Sequence, residues 1–453
     1  MGVPQVVIVG RPNVGKSSIF NWLAGRRIAI VDDRPGVTRD RMSHLIEHEG
    51  RFFELVDTGG MGHQDEDNLT DDIENQIAFA IDSADVVLFV VDTRSGVATL
   101  DQEVAKRLRY LKAPVVCVAN KTDDETFDGA SEEFARLGHG RAVKVSTLQN
   151  RGRAVLINTL VGKLPPPGEG DGAEETEMKV AIVGRRNVGK STFINTLVQS
   201  QRMIVSEVAG TTRDSVDVRF EMDDKSFVAI DTPGIRRRQG RKQDIDFYGT
   251  HRAERSIRRA DVVLLFMDAT QRIGKVDKQL ADYINKQYKP CILVVNKWDQ
   301  LSDTMPTEKW VNYLHDNFRT MRYAPIAFIT GQTGKNVKAL LNHAQMLFKQ
   351  ARQRVSTGQL NRLLRDAVRS NPPPVYQNRR PKIYYATQVG VEPPTLVMFC
   401  NQPSAIAAPY QRYLLSQCRD ACEFAEVPIK LYLRRRDKTD HTDEIDSRLA
   451  SDA

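Results

Sequence analysis

Short apolar runs alternate along most of the chain with longer amphipathic stretches. The first of these runs are 6–9, 52–56, 86–91, 115–119 and 142–145, and each has the length of one buried strand. Buried strands that alternate with helices are typical of a mostly parallel sheet covered by helices on both faces. The pattern therefore predicts a doubly wound α/β fold for this part of the chain.

The chain also contains an internal repeat. The segment GRPNVGKS at 10–17 returns as GRRNVGKS at 184–191, an offset of 174 positions. Three further motifs return in the same order: TRD at 38–40 and 212–214, DTGG at 57–60 as DTPG at 231–234, and NKTD at 120–123 as NKWD at 296–299. A duplicated unit of this length predicts two copies of one domain, since solenoid repeats are far shorter.

The rest of the chain differs in composition from the two copies. Residues 165–177 are rich in Pro, Gly and acidic side chains, which predicts an extended linker. Near the end, a helical pattern at 360–368 is followed by strand-like runs at 382–387, 395–399 and 429–433 and a helical stretch at 409–424. We therefore predict a first α/β domain at 1–164, the linker at 165–177, a second α/β domain at 178–350, a small α+β domain at 351–436 and a disordered acidic tail at 437–453.

The overall composition is that of a globular protein, with 41% hydrophobic and 27% charged residues. The apolar runs are much shorter than the roughly 20 residues that cross a bilayer, and the start of the sequence lacks the pattern of a secretory signal. Five cysteines are too few and too scattered for a disulfide framework. These features predict a soluble, cytoplasmic protein with no membrane partner.

Positive charge is concentrated in one segment. The chain carries a net charge of +7, while residues 351–436 alone hold 14 Lys and Arg against 5 Asp and Glu. A basic module on a nearly neutral body indicates a polyanionic partner. A solvated basic face without a ligand is the alternative, and the charge alone leaves both open.

Each GxxxxGKS motif follows an apolar strand and precedes a helix, which is the context of a phosphate-binding loop. Glycines let backbone N–H groups wrap phosphates, the lysine reaches the β- and γ-phosphates, and the serine hydroxyl binds Mg²⁺. The predicted loop residues are Gly10, Arg11, Pro12, Asn13, Val14, Gly15, Lys16 and Ser17, and Gly184, Arg185, Arg186, Asn187, Val188, Gly189, Lys190 and Ser191.

The DxxG segments end apolar strands, where the aspartate is placed to hold the Mg²⁺ shell and the final glycine N–H to sense a γ-phosphate. A threonine in each TRD segment adds a second hydroxyl to Mg²⁺. The predicted metal ligands are Ser17, Thr38, Asp57, Ser191, Thr212 and Asp231. The other predicted residues here are Thr58, Gly59, Gly60 and Met61, and Thr232, Pro233, Gly234 and Ile235. We predict catalytic roles for Asn13, Lys16, Thr38 and Gly60, and for Asn187, Lys190, Thr212 and Gly234.

The NKxD segments also follow apolar strands and predict a base-reading site. A carboxylate at the fourth position accepts both N–H groups on the N1/N2 edge of guanine, which adenine does not offer, so the motif favours GTP over ATP. The predicted residues are Asn120, Lys121, Thr122 and Asp123, and Asn296, Lys297, Trp298 and Asp299. A last guanine loop adds Ser146 and Thr147 in the first copy and Thr330 and Gly331 in the second.

These motifs resemble those of translation-factor-class GTPases, and two such domains before a small α+β module resemble the Der (EngA) GTPases. Segments 357–361, 382–388, 393–395, 410–414 and 427–429 are similar to the KH-like domain of that family. The resemblance implies an α/β fold with two tandem P-loop GTPase domains (doubly wound, mostly parallel sheets) followed by a KH-like domain. It further implies a GTPase that holds GTP or GDP at two sites with Mg²⁺ and binds the large ribosomal subunit and its rRNA late in assembly.

Two departures from that family concern the nucleotide and the RNA. Members usually carry a Ser-Ala pair in the last guanine loop, where this chain has Ser146-Thr147 and Thr330-Gly331; both loops keep a backbone N–H for the guanine oxygen. Standard KH domains hold RNA with a GxxG loop, which is absent from 351–436. RNA contact must therefore use another surface, for which the Arg434–Arg436 end is one candidate and a solvated strand end the alternative.

The residue after each DxxG segment limits the mechanism. Ras-type GTPases place a water-orienting Gln there, whereas Met61 and Ile235 form no hydrogen bond with water. Catalysis then rests on the phosphate loop, Mg²⁺ and added positive charge. The resemblance implies potassium as an activator, held partly by Asn13 and Asn187; the alternative is that these asparagines cap the backbone of their own loop.

The two switch regions differ in charge. Residues 61–75 hold six acidic and no basic side chains, whereas 235–259 hold nine basic side chains against three acidic ones. The second switch is therefore expected to meet rRNA or the acidic first switch, and the first to meet protein. Arg39 and Arg213 are candidates for cis arginine fingers or for packing within the switch loops.

Three function classes remain. The leading hypothesis is a GTP-hydrolysing assembly factor for the large ribosomal subunit, monomeric and without a DNA partner. The second is a regulatory GTPase that acts through protein partners only. The third is a P-loop enzyme for another nucleotide, such as a nucleotide kinase, which both NKxD motifs oppose.

Overall fold

The computed structural model describes residues 2–24, 42–58, 76–80, 82–166, 177–199, 205–209, 216–222, 225–230, 245–422 and 424–436. They form three sheets, one in each α/β domain and one in a small C-terminal unit. Several predicted features lie outside the described residues: most of the linker, the acidic tail, residues 61–75, Thr38, Arg39, Gly59, Gly60, Met61, Thr212, Arg213, Asp231, Thr232, Pro233, Gly234 and Ile235.

The first domain is a six-stranded sheet with helices on both faces. Its strands are β1 (Gln5–Val9), β2 (Met42–His48), β3 (Arg51–Asp57), β4 (Val86–Asp92), β5 (Val115–Asn120) and β6 (Val143–Lys144). Its longer helices are α1 (Lys16–Ala24), α2 (Thr99–Leu108) and α3 (Arg153–Lys163). The strand order is β2-β3-β1-β4-β5-β6, and only β2 runs antiparallel to its neighbour. The five apolar runs of the sequence all fall on strands, whereas the edge strand β2 has no such run.

The second domain repeats this arrangement, and its described residues include one more strand than those of the first domain. Its strands are β7 (Met178–Gly184), β8 (Val205–Ala209), β9 (Val216–Met222), β10 (Lys225–Ile230), β11 (Val262–Asp268), β12 (Cys291–Asn296) and β13 (Ile326–Phe328). Its helices are α4 (Lys190–Gln199), α5 (Ile245–Arg259), α6 (Lys275–Lys286), α7 (Thr307–Asn317) and α8 (Val337–Arg352). The order is β13-β12-β11-β7-β10-β9-β8, with antiparallel pairing among β8, β9 and β10. The sequence repeat therefore corresponds to a repeated fold.

The C-terminal unit is the small α+β module predicted from the sequence. Its elements are α9 (Thr357–Ser370), β14 (Ile383–Gly390), β15 (Thr395–Cys400), α10 (Ala408–Ala421) and β16 (Lys430–Arg435). β14 and β15 pair antiparallel, and β15 and β16 pair parallel. The predicted helix at 409–424 ends three residues early, because Cys422 has an extended backbone.

The C-terminal unit contacts both α/β domains. It shares one apolar core with the second domain, in which Leu340 and Leu347 of α8 belong to the same cluster as Leu360 and Leu364 of α9. The first domain meets it through a separate cluster of Leu45, Val397, Phe399 and Tyr432. These two buried clusters join the described parts of the C-terminal unit to both α/β domains.

The cysteines lie in these cores, as expected for structural residues. All five are buried free thiols. Burial raises the pKa of Cys117, Cys291, Cys400 and Cys418 to about 12, so these side chains are neutral thiols at physiological pH. No helix within the described ranges has the length and apolar character needed to cross a membrane.

Candidate nucleotide-binding sites

The predicted motifs of the first domain meet at the carboxyl ends of its central strands. β1 lies between β3 and β4, so the connections on its two sides leave the sheet in opposite directions. Ligands of doubly wound folds bind in the crevice at such a point. The phosphate loop follows β1, Asp57 ends β3, and Asn120 ends β5. The second domain places the corresponding residues after β7 and β12.

The phosphate loop and the base-reading loop are packed tightly together in both domains. A Cβ added to Gly15 would lie 2.4 Å from Asn120 Nδ2, and one added to Gly189 would lie 2.2 Å from Asn296 Nδ2. Both glycines also have left-handed backbone angles, with φ of +93° and +95°. Only glycine fits this combination of close approach and positive φ. The last glycine of each motif is therefore required by the neighbouring asparagine.

The loop lysines fold back over their own loops. Lys16 Nζ donates hydrogen bonds to the carbonyl oxygens of Gly10 at 2.8 Å and Arg11 at 3.0 Å. Lys190 makes the corresponding two bonds at 2.7 and 2.5 Å. Burial lowers the pKa of Lys190 to about 8, although the charge of Asp277 acts in the opposite direction. Each ammonium group thus lies at the concave side of a loop suited to phosphates.

The described candidate ligands for Mg²⁺ fit that ion. Ser17 is the second residue of α1, and its side chain is exposed. Asp57 ends β3 directly opposite Ile8 of β1, so it lies beside the start of the loop. Thr58 donates to the Ile8 carbonyl at 2.5 Å and fixes this strand end. A hydroxyl and a carboxylate at adjacent strand ends are the hard oxygen ligands that Mg²⁺ prefers; Ser191 occupies the same position in the second domain.

The asparagine of each NKxD motif ties the base-reading loop to the phosphate loop, and Lys121 adds a second bond in the first domain. Asn120 Nδ2 donates to the Val14 carbonyl at 2.9 Å, and Lys121 Nζ donates to the Asn13 carbonyl at 3.0 Å. In the second domain Asn296 Nδ2 makes the equivalent bond at 2.8 Å. These bonds fix the distance between the phosphate loop and the base-reading carboxylate.

The two base-reading carboxylates are each oriented by a hydroxyl group from the last guanine loop. Ser146 Oγ donates to Asp123 Oδ1 at 2.6 Å, and Thr330 Oγ1 donates to Asp299 Oδ1 at 3.0 Å. The Ser146 hydroxyl, together with the Arg94 guanidinium, holds the pKa of Asp123 below its ordinary value. Asp123 is therefore ionised, as its predicted role of accepting the two N–H groups of guanine requires.

The two sites differ in detail. Gly331 N donates to Asn296 Oδ1 at 2.9 Å, whereas the buried Asn120 Oδ1 has no hydrogen-bond partner in the described part of the first domain. Arg94 forms an ion pair with Asp123, but the equivalent position of the second domain is Thr270. The guanine loops of the two domains are thus held by different hydrogen bonds and ion pairs.

Several predicted site residues direct their side chains into the protein. Thr122 Oγ1 donates to the Ala119 carbonyl at 2.9 Å, and Trp298 packs on Phe328 with ring centroids 4.5 Å apart. Val14 and Val188 are fully buried in the apolar cores. The side chains of these residues therefore face the protein interior, while those of Asn13, Arg186 and Asn187 are exposed on the phosphate loops.

Two further carboxylates of the site were not among the predicted residues. Asp92 Oδ2 accepts from Lys121 Nζ at 2.6 Å, and Asp268 Oδ2 accepts from Lys297 Nζ at 2.7 Å. The pKa of Asp268 lies below its ordinary value, because hydrogen bonds from Lys297 and Thr270 outweigh the opposing effect of burial. The sequence repeat could have identified both aspartates, because they end the recurring apolar runs 84–92 and 260–268.

Comparisons with known families cover all three parts of the chain. Residues 5–121 and 179–297 match the family model "50S ribosome-binding GTPase". Residues 354–434 match "KH-domain-like of EngA bacterial GTPase enzymes, C-terminal". The two nucleotide motifs and the small module thus match family models in the same order as the sequence analysis predicted.

Curated relatives align with this chain over almost its whole length. GTPase Der of Rhodopirellula baltica is 62% identical over 440 residues, which cover 97% of each chain. GTPase Der of Desulforamulus reducens is 42% identical over 442 residues, which cover 97% of this chain and all of the relative. A solved structure of Era with MgGDPNP and a 16S rRNA fragment is 22% identical, covers 60% of this chain and 97% of its own, and has a TM-score of 0.30.

Proposed function

This chain belongs to the GTPase Der family, and we propose that it is a GTP-hydrolysing switch protein that binds the large ribosomal subunit during late assembly. Membership of this family implies that the chain hydrolyses GTP to GDP and phosphate and that it has two P-loop domains. The observation that best supports a switch is the duplicated nucleotide site joined to a basic C-terminal unit. We propose that both sites hold guanine nucleotide.

In each proposed site, the chain itself supplies binding and orientation. Asp123 and Asp299 read the guanine edge, and the tightly packed glycines keep the phosphate loop against the base-reading loop. Lys16 and Lys190 exchange their carbonyl partners for phosphate oxygens and stabilise the negative charge that develops during hydrolysis. Mg²⁺, held by Ser17 and Asp57 in the first site, neutralises phosphate charge when it is bound.

Potassium is the proposed source of further positive charge. Asn13 and Asn187 lie on the exposed rims of the loops, with φ of 65° and 64°. Asparagine tolerates this left-handed conformation well, so the backbone alone explains part of its presence. The contribution of the side chain is tested by replacing K⁺ with Na⁺ at equal ionic strength. The proposal requires turnover to fall, and unchanged turnover would reject it.

The proposed rRNA surface lies on the C-terminal unit. Arg434 pairs with Glu47 of the first domain, so this residue of the candidate arginine end faces protein. Arg436 instead lies 5.4 Å from the ring centroid of Tyr384, which is 44% exposed, and Tyr376 is 38% exposed. Exposed rings stack on unpaired bases, and guanidinium groups bind phosphates. This combination replaces the GxxG loop that the segment lacks.

Sedimentation with large ribosomal subunits tests this function directly. We expect binding with a non-hydrolysable GTP analogue, weaker binding with GDP or without nucleotide, and loss of binding as salt is raised. The double variant Tyr384→Ala and Arg436→Ala should bind more weakly and depend less on salt. Tyr110→Ala is the control, because Tyr110 is 90% exposed and belongs to the first domain rather than to the C-terminal unit.

The outcome also separates the alternative function. A chain that hydrolyses GTP but does not sediment with ribosomal subunits in any nucleotide state would be a regulatory GTPase that acts through protein partners. In that case replacing Tyr384 and Arg436 would have no effect in this assay. The GTPase assignment itself would remain.

A further inference from the structure

A buried ion pair anchors the phosphate loop in each of the two domains. Arg11 Nε lies 3.3 Å from Asp101 Oδ2, and Arg185 Nε lies 2.8 Å from Asp277 Oδ2. The side chains of both aspartates are 0% exposed. The two pairs occupy equivalent positions of the repeat, although nearby equivalents such as Arg94 and Thr270 have diverged.

Each aspartate is held rigidly by the helix that carries it. Asp101 is the third residue of α2 and also accepts a hydrogen bond from Ala98 N at 3.1 Å. Asp277 is the third residue of α6 and accepts from Gly274 N at 2.8 Å. A carboxylate that caps the first turn of its own helix has little freedom to rotate. The arginine is therefore bound to a fixed point in the sheet–helix framework.

The same arginines contact the loop lysines through their backbone. The Arg11 carbonyl accepts from Lys16 Nζ at 3.0 Å, and the Arg185 carbonyl accepts from Lys190 Nζ at 2.5 Å. A continuous series of contacts thus runs from the helix end, through the arginine, to the ammonium group that faces the phosphates. The charge of Asp277 also favours the protonated form of Lys190.

Stability alone does not explain these pairs. Burying two charges costs desolvation energy that their attraction offsets only in good geometry, and apolar pairs of similar size are often at least as stabilising. The chain nevertheless keeps the pair in both copies, at the first turn of both phosphate loops. A fixed loop reaches the transition-state geometry without reorganisation, which is how preorganised groups accelerate reactions.

We propose that Asp101 and Asp277 are positioning residues for GTP hydrolysis. Each holds the arginine of its phosphate loop, so that the loop lysine and N–H groups are already placed for the β- and γ-phosphates. The inference rests on the proposed nucleotide sites, but not on ribosome binding. It assigns one such residue to each domain.

The test measures each site by itself. Asp101→Asn is made in a Lys190→Ala background and Asp277→Asn in a Lys16→Ala background, so that hydrolysis reports one site. We expect kcat to fall about 10- to 100-fold, as is usual for small misplacements of reacting groups, with a smaller change in KM. A kcat equal to that of the background chain would overturn the proposal.

Matched controls separate positioning from general loss of stability. Asp85 and Asp261 are equivalent carboxylates at the opposite end of the sheets, where each accepts from a strand N–H at 2.7 Å. Asp85→Asn and Asp261→Asn should lower the melting temperature but leave kcat unchanged. An equal loss of kcat in these controls would contradict a specific role.

A double-mutant cycle provides a second measurement, and its Arg11→Lys single variant serves by itself if Asp101→Asn folds poorly. Arg11→Lys keeps the charge but loses the planar guanidinium that meets the carboxylate. If the pair acts as one unit, Arg11→Lys combined with Asp101→Asn should lower kcat no more than the stronger single change. Multiplicative effects would show that the residues act separately. Because hydrolysis is measured without ribosomes, failure of the ribosome-binding proposal leaves this result intact.

Discussion

Asp82 and Arg258 occupy equivalent positions of the repeated domain and contact each other across the boundary between the two copies. Arg258 Nη2 lies 3.0 Å from Asp82 Oδ2, and the two residues are 176 positions apart in the sequence. The repeat has the same offset of 176 positions at the next strands, where 84–92 returns as 260–268. At this contact the two GTPase domains therefore meet through equivalent positions of one fold.

The charges at this contact explain part of the asymmetry between the switch regions. Arg255 Nε lies 3.7 Å from Asp82 Oδ1, so two arginines of α5 share one carboxylate that is 4% exposed. If both copies carried the same residue at the position of Asp82 and Arg258, two like charges would repel each other or a buried charge would lack a partner. The basic segment 235–259 thus contacts the first domain at its C-terminal end, while the acidic segment 61–75 lies outside the described residues.

Charge exchange tests this contact. Asp82→Arg should separate the two domains, because three guanidinium groups would then face one another; adding Arg258→Asp should restore the contact by reversing the pair. The distance between fluorescent labels on the two domains is measured in solution. Asp316→Arg is the control, because its exposed pair with Arg322 should matter little. A double variant no closer than Asp82→Arg would contradict the contact.

The phosphate and guanine loops were predictable because each is a short motif whose backbone follows local rules. Gly15, Lys16 and Asp123 are recognisable from neighbouring sequence alone, and parallel strands bring their loops to one edge. The edge strand β2 was not predicted because only Leu45 and Ile46 of its seven residues are strongly apolar. That the protein is a monomer, without a DNA or membrane partner, stays a prediction.

Contacts between distant segments were beyond sequence reasoning for a physical reason. The pairs Arg11–Asp101 and Asp82–Arg258 join residues that no local pattern links, and their geometry exists only after the domains have folded and packed. The repeat offered one clue, since both members of the first pair recur together. Arg434 of the candidate arginine end pairs with Glu47 of the first domain, and RNA contact by that end stays a prediction.

Gly189→Ala should abolish nucleotide binding at the second site. The new Cβ would lie 2.2 Å from Asn296 Nδ2 and would hold an alanine at a φ of +95°, so the phosphate loop and the base-reading loop must separate. Fluorescent GDP binding in a Lys16→Ala background should weaken at least 100-fold. Gly162→Ala is the matched control, because no atom lies within 4 Å of its Cβ position; near-normal binding by Gly189→Ala would disprove the tight packing.

Nucleotide affinity at the second site should fall above about pH 8. Burial lowers the pKa of Lys190 to about 8 in the free protein, whereas bound phosphates favour the charged amine. Binding above that pH must therefore take up a proton, and affinity should decline by up to about tenfold per pH unit. Fluorescent GDP titrations from about pH 7.5 to 9.5 in a Lys16→Ala background measure this. Lys190→Arg should bind with a flat profile, since arginine stays charged; a flat profile for lysine would refute the shift.

A buried ion pair between Lys430 and Glu54 should stabilise the contact between the first domain and the C-terminal unit. Lys430 Nζ lies 2.6 Å from Glu54 Oε1, and the two side chains are only 14% and 5% exposed. Lys430→Met leaves a buried carboxylate without its cation and should weaken the contact by about 3 kcal/mol. Glu54→Met combined with Lys430→Met replaces the pair by apolar side chains of similar length and should recover most of that loss. Urea unfolding of the four chains yields the coupling energy of the cycle, and additive effects would show that Glu54 and Lys430 stabilise the contact independently.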